Sequence, residues 1–283
     1  MAGNNLVNWI VKGGRVIGPA PFLVAGVLNV TPDSFFDGGK YHNFEKALDR
    51  ACLLIKQGAH IIDIGGESTR PFSERVGADT ELGRVLPVLK KVLEKHPHAN
   101  VSIDTYKPGI AAECLNSGAS IINDVSACCF DPALLDVVAE FKPGYVLMHS
   151  SGDPRTMQID PRYDDVVGEV KSFFDERLSV LVRSGLPENR IVIDPGIGFG
   201  KTLEHNLELM HRIDEFFSLG FPLYLGLSNK SLWGKFLGLE PDCRETATQV
   251  ALGLMAAKCV GIHRVHDVEA TINTLEILKK IWI

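Results

Sequence analysis

The chain has 283 residues, of which 45% are hydrophobic and 23% charged, with a formal net charge of −6. That balance supports a large packed core and excludes a disordered chain, which lacks the apolar surface to bury. The acidic sign opposes a nucleic-acid partner, because phosphate backbones need a concentrated basic surface, though a few local cations can still hold a small anion.

At the start of the chain, residues 7–11 and 15–17 are short apolar pieces separated by Gly13-Gly14, which predicts a β-hairpin. Asn8 and Lys12 interrupt this region, so it makes no secretory signal. No apolar run is long enough to cross a bilayer, so no membrane partner and a cytoplasmic location are expected. The six cysteines, Cys52, Cys114, Cys128, Cys129, Cys243 and Cys259, form no CxxC pair. They read as reduced core thiols in a reducing compartment.

Eight β-branched, nearly continuous apolar runs follow: 22–30, 60–66, 101–105, 120–126, 145–149, 191–195, 223–227 and 261–266. Such runs suit parallel strands covered on both faces. Between and after them, residues 44–57, 79–94, 164–184, 204–219, 245–258 and 268–282 repeat apolar side chains at helical spacing. In the first, Ala47, Leu48, Ala51, Leu54 and Ile55 share one side; in the second, Leu82, Leu86, Leu89 and Val92 do. Strand–helix alternation eight times over predicts an α/β protein, a single-domain (β/α)8 barrel over residues 1–283 with the hairpin ahead of it. An open doubly wound sheet is the alternative.

The strands end in residues that packing alone would not select. In order, the ends carry Asn29, Asp63 with Thr69 and Arg70, Asp104, Asn123 with Asp124, Met148-His149, Asp194, Lys230-Ser231, and Arg264 with His266. A single buried Asp or Asn is ordinarily a hydrogen-bonded core group or a cap. Eight such ends converge on one barrel face, the face where barrel active sites lie. An unpaired buried polar group costs a few kcal/mol, so a ligand that supplies partners explains the set. Asp104, Asn123, Asp194 and Lys230 mix donors and acceptors in a way that suits a flat heterocycle, with carboxylates for a guanidine-like edge. Arg70, Arg264 and His266 form a cationic group suited to a phosphate. Asn29 offers an oxygen for Mg²⁺, and free N–H groups where a helix begins at Ser231 could hold a carboxylate. The run Gly196-Ile197-Gly198-Phe199-Gly200-Lys201 has Pro195 where a Walker loop needs glycine, and it does not match GxGxxG. There is no HExxH, no paired Cys/His motif and no GxSxG elbow.

Asn29-Val30-Thr31-Pro32-Asp33-Ser34-Phe35 with Asp37-Gly38-Gly39, followed by Asp63-Ile64-Gly65-Gly66-Glu67-Ser68-Thr69-Arg70-Pro71, resembles the two signatures of the dihydropteroate synthase family. Ser102-Ile103-Asp104-Thr105, Asn123-Asp124-Val125-Ser126, Met148-His149, Asp194 through Lys201 and Arg264 through Val268 match in order, so the resemblance spans essentially the whole chain. It implies a folate-pathway transferase that joins hydroxymethyl-dihydropterin pyrophosphate to p-aminobenzoate, with Mg²⁺, in a homodimer built through the late helices. It further implies that Asp104, Asn123, Asp194 and Lys230 hold the pterin, and Met148 is a further substrate-binding candidate. Asn29, Thr69, Arg70, Arg264 and His266 would hold the pyrophosphate, and Pro71, Phe199 and Ser231 the aminobenzoate. Asp104, Asp194, Lys230, Arg264 and His266 are the catalytic candidates. Three positions depart from the family pattern. Asn229 stands where arginine is usual, Phe36 where serine is common and Phe72 where glycine is common, so an altered sulfonamide response is expected. A pterin-dependent methyltransferase of the methyltetrahydrofolate-cobalamin class and a non-catalytic pterin-binding homologue are the rivals. The methyltransferase shares the pterin set but has no need of Arg70, Arg264 and His266.

Overall fold

The structure, a computed structural model, describes residues 6–31, 40–69, 73–153 and 155–281. A hairpin of β1 (Val7–Ile10) and β2 (Val16–Ala20) precedes eight parallel strands: β3 (Leu23–Asn29), β4 (Ile61–Gly65), β5 (Val101–Asp104), β6 (Ile121–Asp124), β7 (Gly144–Met148), β8 (Ile191–Asp194), β9 (Tyr224–Gly226) and β10 (Ile262–Val265). Hydrogen bonding runs in the order β8-β7-β6-β5-β4-β3-β10-β9. A parallel bridge between Ile193 and Leu223, with Ile193 N–H donating to the Pro222 carbonyl at 3.0 Å, joins the two ends. The sheet is therefore a closed ring, and the open alternative fails because it would leave β8 and β9 as free edges.

Helices α1 (Lys40–Lys56), α2 (Ala78–Lys95), α3 (Pro108–Asn116), α4 (Leu134–Phe141), α5 (Val166–Arg183), α6 (Leu203–His211), α7 (Ser231–Leu237), α8 (Glu245–Ala257) and α9 (Val268–Ile281) surround it. Their apolar faces pack on the outward side chains of the strands, such as Val24, Ile62, Ile103 and Ile193. The sequence pattern misses α3 and α4, which have 9 and 8 residues and show too few turns to display a period. The helix expected over 204–219 divides. The α-helix stops at His211, and Ile213–Leu219 is a 3-10 segment. Ile213, Phe216 and Leu219 recur every third residue, a spacing that a 3-10 turn places on one side. Of the six cysteines, all free, only Cys114 and Cys128 are buried, while Cys129 and Cys243 are exposed. The expectation of core thiols is thus corrected for the others; apolar flanks in sequence do not decide which way one side chain turns.

The hairpin closes the end of the barrel where the strands begin. Val7, Trp9, Val11 and Ile17 pack against Leu23, Ala25, Ile61, Ile121, Val146, Val192, Tyr224 and Ile262. Trp9 is 1% exposed and its indole N–H donates to the Arg190 carbonyl at 2.8 Å. Gly144, the first residue of β7, and Gly261, just before β10, let the hairpin approach: a Cβ there would lie 2.7 Å from Val11 and 2.3 Å from Val7. This plug leaves the opposite end, where the strands finish, as the open face. No helix among the described residues is long and apolar enough to cross a membrane.

Candidate active site

Strand register assembles the site. Parallel pairing aligns Asn29 with Gly65, Gly65 with Asp104, and Asp104 with Asn123, so four strand ends lie in one row. Met148 aligns with Asp194, and Arg264 with Gly226 and Ala25. Gly65 leaves space in that row: a Cβ there would be 3.5 Å from the Asp104 Cβ and 3.7 Å from Asn29 Oδ1.

Arg264 is the hub. Its Nε donates to Asp63 Oδ2 at 2.6 Å and an Nη to Asp104 Oδ2 at 2.7 Å. Asn123 Nδ2 donates to the same Asp63 oxygen at 3.1 Å. Asp63 is 0% exposed and Asp104 6%. The second oxygens, Oδ1 of Asp63 and Oδ1 of Asp104, are buried with no hydrogen-bond donor among the described residues. Burial pushes Asp104 up to about 7; Arg264 pulls it down, while Asp63, Glu81 and Asp124 push it further up. The sequence pattern groups Arg264 with His266 as cations. The structure instead sets its guanidinium between two carboxylates.

Asp194 is also raised by burial, against the Gly196 N–H, Lys230, Lys201 and Arg264, all of which favour its charged form. Gly196 N–H donates to its Oδ1 at 2.8 Å. Lys230 follows β9, and its ammonium lies 4.3 Å from the centre of the Phe199 ring, a cation–π contact. Burial draws Lys230 down to about 8, with Asp194 opposing. Phe199 and Met148 join Tyr106, Val125 and Phe130 in a small apolar cluster. Asp104, Asn123, Asp194, Met148, Phe199, Lys230 and Arg264 thus share one end of the barrel.

At the margin, His266 sits just past β10, with Nδ1 2.9 Å from Ser228 Oγ. Asn29 and Thr69 are half-buried, and Ser231 is exposed at the first position of α7. Arg70, Pro71, Phe36 and Phe72 lie outside the described residues. Asn229 has φ +54. Asparagine tolerates that left-handed conformation better than arginine, which gives the departure from the family pattern a backbone reason.

Five contributors have no role assigned from the sequence pattern. Asp63 reads there as one letter of a signature, yet it bonds both Arg264 and Asn123. Ser228 holds His266. Lys201 and His149 pair inside the protein at 2.9 Å. Glu67, 7% exposed, accepts from Tyr106 and Lys107 at 2.8 and 2.6 Å and from Val76 N–H at 2.7 Å, tying residues 73–77 to the end of β5. Buried charge beside a strand end is the signal that could have found Asp63 and Glu67; the partners of Ser228 and Lys201 are distant in sequence.

A family model described as pterin binding enzyme matches residues 25–266, which takes in the barrel strands from within β3 to the end of β10. The dihydropteroate synthase of Synechocystis sp. is 40% identical over 261 residues, 92% of this chain and 90% of that protein. The chain belongs to the dihydropteroate synthase family of pterin-binding enzymes. Among solved family members, the Xanthomonas albilineans dihydropteroate synthase with 4-aminobenzoic acid superposes with a TM-score of 0.89 at 38% identity, covering 96% of this chain and 98% of that one. The same enzyme in complex with 7,8-dihydropteroate superposes at 0.86 with 36% identity, over 97% and 98% of the two chains. Family membership covers the carboxylate row, the Asp194–Lys201 loop and the Arg264–His266 segment alike, since all lie within the matched residues.

Proposed function

We propose that this chain condenses hydroxymethyl-dihydropterin pyrophosphate with p-aminobenzoate, giving dihydropteroate and pyrophosphate in folate biosynthesis. The observation that carries the reading is the Asp63–Arg264–Asp104 bridge with two buried carboxylate oxygens that face no donor among the described residues. Those acceptors suit the N–H edge of a pterin, and Asn123 adds an amide beside them. Asp194, fixed by the Gly196 N–H, supplies a second carboxylate, and Lys230 a donor opposite it. Met148 gives the pterin ring apolar contact.

The reaction breaks the bond between the pterin methylene carbon and the pyrophosphate oxygen, whose electron pair leaves with the anion. The arylamine nitrogen forms the new bond to that carbon and then releases a proton. Asp104 and Asp194 stabilise positive charge developing on the pterin, and Arg264 and His266, with Arg70 and Thr69, stabilise the departing anion. Arg264 does both duties: it is held by carboxylates on the pterin side and carries charge towards the anion. Pro71, Phe199 and Ser231 border the aminobenzoate. No side-chain nucleophile is required.

Mg²⁺ is the proposed cofactor. Among the described residues no group of three or more His, Cys, Asp and Glu could hold a metal, and Asn29 offers one neutral oxygen. That donor set fits a magnesium ion bound mainly by pyrophosphate and water. When bound, the ion would neutralise charge on the leaving group. We also propose one domain over residues 1–283, a cytoplasmic location, which six free cysteines suit, and a homodimer. For the dimer, Val250 and Leu254 on α8 and Ile277 and Ile281 on α9 are each at least 60% exposed, on two helices joined by the Gln249–Thr271 hydrogen bond. Such an apolar surface marks a protein interface.

The test is a steady-state assay of pyrophosphate release with both substrates. Release that requires p-aminobenzoate supports the proposal; release indifferent to it sinks the proposal.

A further inference from the structure

One buried cation takes no part in the reaction as described. Lys201 is 2% exposed, and no carboxylate lies within ion-pair distance of its ammonium among the described residues. Its protons meet four acceptors instead: His149 Nδ1 at 2.9 Å, the Gly196 carbonyl at 3.0 Å, the Phe199 carbonyl at 3.0 Å and, more weakly, the His149 carbonyl at 3.5 Å. Burial draws Lys201 down to about 7, with Asp194 opposing, and the surrounding acceptors favour the ammonium, which has three donors, over the neutral amine, which has two. To accept from an ammonium, His149 must be neutral with its proton on Nε2; burial, reinforced by Lys201, draws its pKa down to about 2, which keeps it so.

The loop from Gly196 to Gly200 wraps around that ammonium. The carbonyls of Gly196 and Phe199 point inward to Lys201. Those of Gly198 and Gly200 are held from outside, by Gln158 Nε2 at 2.7 Å, Ser151 Oγ at 3.1 Å and Tyr163 OH at 3.0 Å. Gly196 has φ +68, and a Cβ there would lie 1.9 Å from the His149 carbonyl oxygen and 3.4 Å from the ammonium, so the wrap requires glycine. The loop's product is the placement of Phe199: its N–H closes a turn to the Gly196 carbonyl at 3.0 Å, and its ring lies under the Lys230 ammonium. Asp194 depends on Lys201 far less. Its backbone is fixed by strand pairing with Met148, and its carboxylate by the Gly196 N–H.

We propose that Lys201 is a positioning residue for the reaction, whose buried ammonium templates the Gly196–Gly200 loop and, through Phe199, sets the aminobenzoate side of the site. This rests on the function proposed above. The ammonium replaces what a shorter or apolar side chain could not: a common donor for two inward carbonyls of one turn. Without it the outer bonds keep the loop attached, but the Phe199 carbonyl and His149 Nδ1 lose their donor, and the ring is free to leave its place beneath Lys230.

The test compares wild type with Lys201→Met, which keeps length and removes the donors. Circular dichroism and a thermal melt establish that the variant folds, and steady-state kinetics then gives a KM for each substrate. The expected result is a split: KM for p-aminobenzoate rises roughly tenfold while KM for the pterin pyrophosphate stays within about twofold. A second variant, His149→Leu, removes one acceptor and leaves Lys201 in place; it is expected to move the same ratio by a smaller factor, and it decides the matter if Lys201→Met does not fold. Equal rises in both KM values, or a lowered melting temperature with neither KM changed, would mean a structural role only and would overturn the inference. A wild-type protein whose pyrophosphate release ignores p-aminobenzoate overturns the functional reading itself, and this inference with it.

Discussion

Replacing Arg264 by methionine should damage stability in a pH-dependent way. The change removes two charge-assisted hydrogen bonds, at 2.6 Å to Asp63 and 2.7 Å to Asp104, and leaves two buried carboxylates without their shared cation. Breaking a buried pair by deleting one partner costs about 3–5 kcal/mol. The Arg264 side chain is 20% exposed while its partners are 0% and 5%, so the lower end, about 3 kcal/mol, is appropriate. For a chain of this size that corresponds to a fall in melting temperature of roughly 6–12 °C. The sign with pH follows from Asp104. Its folded pKa, about 7 with Arg264 present, lies above the ordinary 3.8, so the folded state binds the proton more tightly than the unfolded state does. Loss of the arginine moves that folded value further up. Proton uptake therefore favours the folded variant as pH falls from above 7 towards 4, and the deficit should be larger at pH 8 than at pH 5.5. Differential scanning calorimetry of both proteins at the two pH values makes the measurement. A deficit below about 1 kcal/mol at pH 8, or one that grows on acidification, would refute the claim that Arg264 neutralises a buried carboxylate pair.

Other consequences are accessible to simple assays. If the carboxylate form of Asp104 receives the pterin, kcat/KM for the pterin pyrophosphate should fall by about tenfold per pH unit below about 7, and Asp104→Asn should be slow throughout with that acid limb gone. Trp9→Ala should cost roughly 3–5 kcal/mol by opening a cavity in the barrel plug, yet leave kcat/KM at 25 °C unchanged because the plug lies at the end opposite the site; a kinetic defect at a temperature where the variant is folded would contradict this. Leu254→Glu combined with Ile277→Glu should convert a dimer to monomers in sedimentation velocity, and an unchanged sedimentation coefficient would count against the α8–α9 interface. Asn29→Ala should raise the Mg²⁺ concentration needed for half-maximal pyrophosphate release, and an identical metal titration curve would remove Asn29 from the metal's surroundings.

Much of this arrangement was legible in the linear chain because its periodicities are local. Apolar runs such as 101–105 and 191–195 suit strands buried on both faces, and parallel strands require crossovers, so a parallel α/β sheet follows, while its closure into a barrel rests on the bridge between Ile193 and Leu223. The breaks came where local pattern carries little information: α3 and α4 are too short to show a period, and the 3-10 segment Ile213–Leu219 shares its apolar residues with a helical reading. The site candidates were visible for a chemical reason. Asp104, Asn123 and Asp194 are polar residues ending apolar runs, and burial makes such residues costly unless something pairs with them.

What the sequence determined by itself, then, was which residues stand at the strand ends and the family signatures they compose. The tertiary structure decided their partnerships. Asp63 and Arg264 are 201 residues apart, and Lys201 and His149 are 52 apart; nothing in local spacing says that one pair forms an ion bridge and the other a neutral histidine and a carbonyl-caged ammonium. Those pairings arise because closing the ring brings β10 beside β3 and close to β4, and β8 beside β7, in a register that side-chain identity alone does not specify. Charge state follows from the same closure. Burial first, with Asp63, Glu81 and Asp124 adding to it, raises Asp104 to about 7, and burial with Arg264 draws Lys230 down to about 8; both desolvation and those neighbours belong to the assembled barrel rather than to any segment of it.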